Sequence, residues 1–205
     1  MLGRWARHSI VAALLLLLVA AGWWQGQQMR AGYVWTSGPV DSQGVAILLF
    51  PSEESMNLKP VVVRLPVVAA SGGGVISEVI GRLLAGPPAG LYLVNPFPAG
   101  TRLLGWQWVE PTQGVLRVNL SGELVAGHGG GTSGELATVY TLVDTLTLLP
   151  GVKAVELWVE GRPLDTLAGH LDLRGPLTSD LSLVDMVALR QARQALMNVR
   201  RAQLL

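Results

Sequence analysis

The sequence predicts an α+β body with the element order ββαββαβ, in which two helices cover one face of a mixed sheet. Three observations carry that prediction. Residues 132–161 read as helix, tight turn and strand in direct succession. Two pairs of short apolar or alternating runs lie upstream, at 44–66 and 101–120. Between those pairs, residues 75–85 repeat apolar side chains at helical spacing.

The first run, Gly44–Phe50, is uniformly apolar and stops at Pro51, which fits a short strand, and Lys59–Pro66 is a second, β-branched one. Ser71–Gly74 then leads into a helix in which Ile76, Val79, Ile80, Leu83 and Leu84 recur, closed by Gly86-Pro87-Pro88. Thr101–Glu110 and Val115–Leu120 flank Pro111-Thr-Gln-Gly114, a hairpin signal. Leu116, Val118 and Leu120 alternate with Arg117 and Asn119, so one face of this strand is wet. Leu104, Trp106 and Trp108 share a face by the same alternation, directed at the core or at an aromatic interface.

Thr132 and Glu135 have the spacing of a capping box at the start of the second helix. Leu136, Val139, Tyr140, Val143 and Leu146 give that helix one apolar stripe, and Pro150-Gly151 ends it. In the strand that follows, Val155, Leu157 and Val159 alternate with Glu156, Trp158 and Glu160.

The flanks differ in kind. Arg4 and Arg7 precede the uncharged stretch Ile10–Trp24, bracketed by Trp5 and the Trp23–Trp24 pair. As a helix, Trp5 to Trp24 spans roughly 28 Å, near the hydrocarbon thickness. A retained single-pass anchor is expected, with a cleaved signal at Val19-Ala20-Ala21 as the alternative. The arginines place residues 1–9 in the cytoplasm and everything after the hydrophobic segment outside it. Residues 25–43 form a linker, 44–178 the folded body, and 179–205 a helix with apolar and arginine-bearing faces. That last helix can dock on its own domain, bind a partner or copy of itself, or lie on an anionic membrane.

Composition excludes several functions. With no cysteine in 205 residues there is no disulfide, thiolate metal site, cysteine nucleophile or lipidated cysteine. Net charge +1 gives no electrostatic footprint for nucleic acid. Only 14% of residues are charged, which suits a membrane or protein neighbour. His128-Gly-Gly-Gly131 repeats the string of a lipase oxyanion loop, but no G-x-S-x-G elbow accompanies it, and no lysine makes it a phosphate loop. It reads as a flexible loop before a helix. His8, His128 and His170 share no ligand spacing. Among the carboxylates, Glu78 and Asp144 are expected at solvated or edge helix positions and Glu156 and Glu160 on the solvent-facing polar face of the last strand. No pair of acids has the spacing for acid–base work. Catalytic, cofactor-binding and metal residues are therefore expected to be none. The interface candidates are Trp106, Trp108, Trp158, Arg190 and Arg193.

Several strings in order resemble GerMN domains: Leu83-Leu-Ala-Gly-Pro87, Phe97-Pro-Ala-Gly-Thr101, Leu116-Arg-Val-Asn-Leu-Ser121, Thr145–Val152, Val155–Gly161 and Gly175-Pro-Leu177. The resemblance covers roughly 45–178. It implies an extracytoplasmic α+β domain similar to ring-building motifs, without catalytic activity, that assembles with envelope proteins or itself during sporulation or germination. A module binding a small envelope ligand or cell-wall fragment is the alternative. Asn119 stands where that pattern usually has Asp, the lipid-attachment cysteine of some members is missing, and there is one copy rather than two.

Overall fold

The computed structural model describes residues 44–55, 57–66 and 74–203, without the side chains of 199–203. The anchor expected at 10–24, its flank and the linker lie outside the described residues. Among the described residues no helix is long and apolar enough to cross a membrane.

The elements are β1 Val45–Pro51, β2 Leu58–Arg64, α1 Gly74–Ala85, β3 Leu103–Glu110, β4 Val115–Leu120, α2 Glu123–Ala126, α3 Thr132–Thr147, β5 Ala154–Val159, β6 Arg162–Pro163 and α4 Met186–Gln203. A 3-10 turn, Leu181–Leu183, precedes α4. The order ββαββαβ holds, with α2, β6 and the 3-10 turn added.

The strands form two sheets, not one. β1 and β2 pair antiparallel as an isolated hairpin, and the second sheet has the order β3-β4-β5-β6. Within it β3–β4 and β5–β6 are antiparallel and β4–β5 parallel, so the sheet itself is mixed. The reason lies at the free edge of β1. The Leu49 N–H donates to the Thr145 Oγ1 of α3 at 2.9 Å, so a helix satisfies the donor that another strand would have used.

Every residue of β1 is buried because its two faces enter different cores. Ala46, Leu48 and Phe50 join the main core with Ile76, Val79 and Leu83 of α1. Ile47 and Leu49 join a smaller core with Leu58, Val184 and Leu189. A strand covered on both sides reads as a continuous apolar run, which is the pattern seen in the sequence. Each fully buried leucine contributes about 2 kcal/mol by removal of apolar surface from water.

α3 departs from the expected single stripe. Val139, Val143 and Leu146 are buried, but so are Ala137, Thr138, Thr141, Leu142, Asp144 and Thr145, while Leu136 and Tyr140 are only half-buried. The helix packs among β1, β5 and α1, so three sides of it are covered. Its start is also shifted. Gly131 is the N-cap, at φ 80°, and no side chain caps the helix. Thr132 is already helical, so the predicted capping box is absent, and Glu135 is released for another task.

The β3–β4 hairpin turns where predicted. Gly114 holds φ 76°, and its carbonyl accepts from Lys153 N at 2.8 Å, tying the turn to the start of β5. A Cβ there would collide with the Gly151 carbonyl oxygen. Gly114→Ala should therefore destabilise the domain by more than about 1 kcal/mol, because strain and clash add. Urea denaturation read by tryptophan fluorescence checks this.

The C-terminal helix docks on its own domain. Leu189, Ala192 and Leu196 pack over Ile47, Leu49 and Leu58 on the side of the β1–β2 hairpin away from the main core. It begins at Met186, several residues into the 179–205 segment expected to be helical. Asp180 Oδ1 accepts from Ser182 N at 3.0 Å, and Asp185 Oδ1 accepts from Ala188 N at 3.0 Å. Two successive side-chain caps divide what one apolar pattern suggested was continuous.

Candidate functional site

The β3–β6 sheet has one face on the main core and, among the described residues, one without a covering helix. Parallel pairing of β4 with β5 sets Arg117 opposite Glu156 and Asn119 opposite Trp158, all on the uncovered face. Antiparallel pairing with β3 adds Gln107 beside Arg117. Arg117 Nε and Nη2 contact the same Glu156 oxygen, Oε2, at 2.9 and 2.8 Å. The guanidinium also stacks on the Trp158 ring, 3.9 Å from its centroid. An arginine held by a carboxylate and an aromatic face loses little freedom when a partner covers it.

The rim of this face is fixed from the backbone. Glu160 and Gly161 have φ of 49° and 76°, so they form the two-residue turn between β5 and β6. Asn119 Oδ1 accepts from Gly161 N at 2.9 Å, and Glu160 Oε1 accepts from Gly122 N at 2.8 Å. The Asn119 interaction uses an acceptor oxygen and no charge, which is why asparagine serves here. Glu156, expected to face solvent, is instead largely covered by its ion pair.

The other interface candidates are scattered. Trp106 and Trp108 pack against the main core, and Trp106 Nε1 donates to Ser77 Oγ at 2.9 Å. Leu104 does not accompany them. A bulge between Leu103 and Gly105 turns it outward, 46% exposed, and puts Leu103 on the core side. Arg190 and Arg193 lie exposed on α4, which packs on the β1–β2 hairpin rather than on this sheet. Of the five candidates, only Trp158 belongs to the uncovered face.

Two carboxylates have different roles from those expected. Glu135 is fully buried and holds the loop 166–170. Its Oε1 accepts from Leu167 N at 2.8 Å, Ala168 N at 3.0 Å and Thr166 Oγ1 at 2.9 Å, and Oε2 from His170 N at 2.8 Å. Burial alone would push its pKa up, but these donors outweigh it and hold the carboxyl at about 2. Asp144, expected at a solvated or edge position, is 1% exposed. Burial pushes it up to about 6, against a single stabilising bond from Asp180 N at 2.9 Å and with the Asp180 charge adding to the rise. Asp144 Oδ2 and the neighbouring Thr141 Oγ1 have no hydrogen-bond partner among the described residues.

The glycine-rich loop is tied down by its histidine. His128 Nδ1 accepts from Gly130 N at 3.1 Å, which leaves Nε2 to donate to Thr138 Oγ1 at 3.1 Å. The single Thr138 O–H donates to backbone carbonyls, Gly134 O at 2.8 Å and Pro96 O at 3.0 Å. A hydroxyl that accepts from histidine and donates to a carbonyl is not activated as a nucleophile. Among the described residues no cluster of three or more His, Cys, Asp or Glu could hold a metal ion.

The family model described as Germane, sporulation and spore germination, matches residues 47–165. A search of curated proteins finds no match. Among solved structures, the chain resembles the tandem GerMN domains of the sporulation protein GerM from Bacillus subtilis. The TM-score there is 0.54 and the identity 16%, over 65% of this chain and 45% of that one. The first GerMN domain of the same protein gives a TM-score of 0.53 at 16% identity, over 65% of this chain and 96% of that one. The chain thus spans under half the length of the tandem protein, and at this identity the likeness shows the fold.

Proposed function

The chain belongs to the Germane family of sporulation and spore germination, and from that membership we propose a noncatalytic, membrane-anchored protein of the bacterial envelope. It acts outside the cytoplasm by assembling with envelope proteins, or with copies of itself, during sporulation or germination. The uncovered sheet face is the contact surface.

The observation that carries this reading is the preordered Arg117–Glu156–Trp158 group on a sheet face with no helix over it among the described residues. Tryptophan and arginine dominate binding energy at protein contacts, and their cost of ordering is already met here. Anchoring is supported by the Ile10–Trp24 stretch behind Arg4 and Arg7, and it would raise local concentration for assembly. The small-ligand reading has weaker support. A hollow of about 330 Å³ lies beside His128 and Gly130, but of its two rings Phe97 is buried and the His128 imidazole is engaged by Gly130 N and Thr138 Oγ1.

Trp158→Ala tests the proposal. Crosslinked complexes recovered from sporulating cells should fall about 30-fold, the equivalent of about 2 kcal/mol, with the melting curve of the domain little changed. Unchanged recovery from a folded variant would count against this face.

A further inference from the structure

α4 carries the strongest local charge in the described protein. It contains Arg190, Arg193, Arg200 and Arg201 and no acidic residue. Neither Arg190 nor Arg193 pairs with a carboxylate among the described residues. At three- and four-residue steps, Arg190, Arg193 and Met197 form one row along the helix. Met197 is an apolar side chain left 61% exposed at the end of that row. Beside the row opens a groove of about 320 Å³, walled by Ile47 of β1, Leu148 and Leu149 after α3, and Leu196 and Met197, with Arg193 at its edge.

A row of unpaired cations beside an apolar slot matches an amphiphile with an anionic head and a hydrocarbon tail. We propose that α4 docks the domain on an anionic phospholipid bilayer, its arginines meeting headgroup phosphates while the groove takes an acyl chain or Met197 enters the interface. The proposal rests on the membrane-anchored reading given above, because an anchor keeps the helix within reach of the surface. β1, whose Ile47 lines the groove, is also the first element after the linker, so the groove lies close in sequence to that anchor. An acidic protein segment could use the same charges, and the test separates the two.

The chain has no cysteine, so one engineered cysteine accepts a single label. Gln194→Cys, exposed on α4, carries a polarity-sensitive fluorophore, and Thr112→Cys in the β3–β4 turn serves as the remote control. The full chain is synthesised in a cell-free reaction containing vesicles of phosphatidylcholine alone or with phosphatidylglycerol. Sedimentation with both vesicle types reports the anchor. Docking predicts that the label at 194 blue-shifts and is quenched by doxyl lipids with phosphatidylglycerol only, while the label at 112 does not respond. Arg190→Glu/Arg193→Glu should lower the docked fraction tenfold or more, since each arginine near an anionic surface contributes separately. Met197→Asp should lower it as well.

A chain that sediments with both vesicle types while position 194 stays in water overturns the docking alone and leaves the arginine row to a protein partner. Sedimentation with neither overturns the anchor and the docking together. Sedimentation with phosphatidylglycerol only, with the label shifted, removes the anchor and keeps the docking. A shift that survives the double charge reversal also overturns it.

Discussion

Replacing Glu135 with alanine should cost about 3–4 kcal/mol of stability and lower the melting temperature by roughly 10 °C. Among the described residues the carboxylate is the sole acceptor for the Leu167, Ala168 and His170 amides, and Leu167 is itself buried. Each buried amide left unpaired costs about 1–3 kcal/mol. Glu135→Gln should lose less, because an amide oxygen still accepts from part of the loop, though the NH₂ faces donors. The wild-type pH dependence follows from the same geometry. A carboxyl held at about 2 contributes fully above its unfolded range near 4.5, and that contribution falls away as pH drops toward 2. Thermal melts from pH 7 to pH 2 should show this acid-side loss in wild type and its absence in the glutamine variant. An alanine variant as stable as wild type would remove Glu135 from its structural role.

Asp144 should behave with the opposite sign. Its folded value of about 6 lies above its unfolded value of 3.8, so the folded state binds the proton more tightly. Its contribution is full below about pH 4 and is lost as pH rises through 6, a swing of about 2–3 kcal/mol. Asp144→Asn keeps an oxygen for the Asp180 amide and removes the titration. Between pH 4 and pH 7 the difference in stability between variant and wild type should shift in the variant's favour by about that amount. Tyr140 and Asp180 face the same group, and Asp180 is the charge that raises it further. Denaturant titrations at pH 4.5 and pH 7.5 measure the swing, and parallel behaviour of the two proteins would contradict it.

These two residues mark where the sequence stops being readable. Turn chemistry is local, so Pro111–Gly114 and the strand Val115–Leu120 after it are legible from the chain alone. The position of a helix start is less so: one residue of slip converts Glu135 from a supposed cap into the anchor of a loop about thirty residues away. Burial of Asp144 depends on α3 being enclosed on three sides, which an apolar stripe cannot reveal. The split into two sheets is equally hidden, because strand periodicity does not say which edges meet. At the candidate site, Arg117, Asn119, Glu156 and Trp158 each read as facing away from the core. Only the parallel register of β4 with β5 brings the arginine onto the glutamate and the indole. The bulge at Leu104 gave no sequence signal, since nothing in Leu103-Leu104-Gly105 distinguishes the residue that turns outward from the one that turns in.

Assembly through the uncovered sheet face is the central claim, and site-specific photocrosslinking tests it most directly. A photoreactive residue replaces exposed Gln107, beside Arg117 on that face, and in a second strain it replaces exposed Glu54 in the β1–β2 loop. Irradiation of sporulating cells should give discrete crosslinked protein species from position 107 and far fewer from position 54. Equal yields from the two positions, or none from position 107, would contradict the assignment.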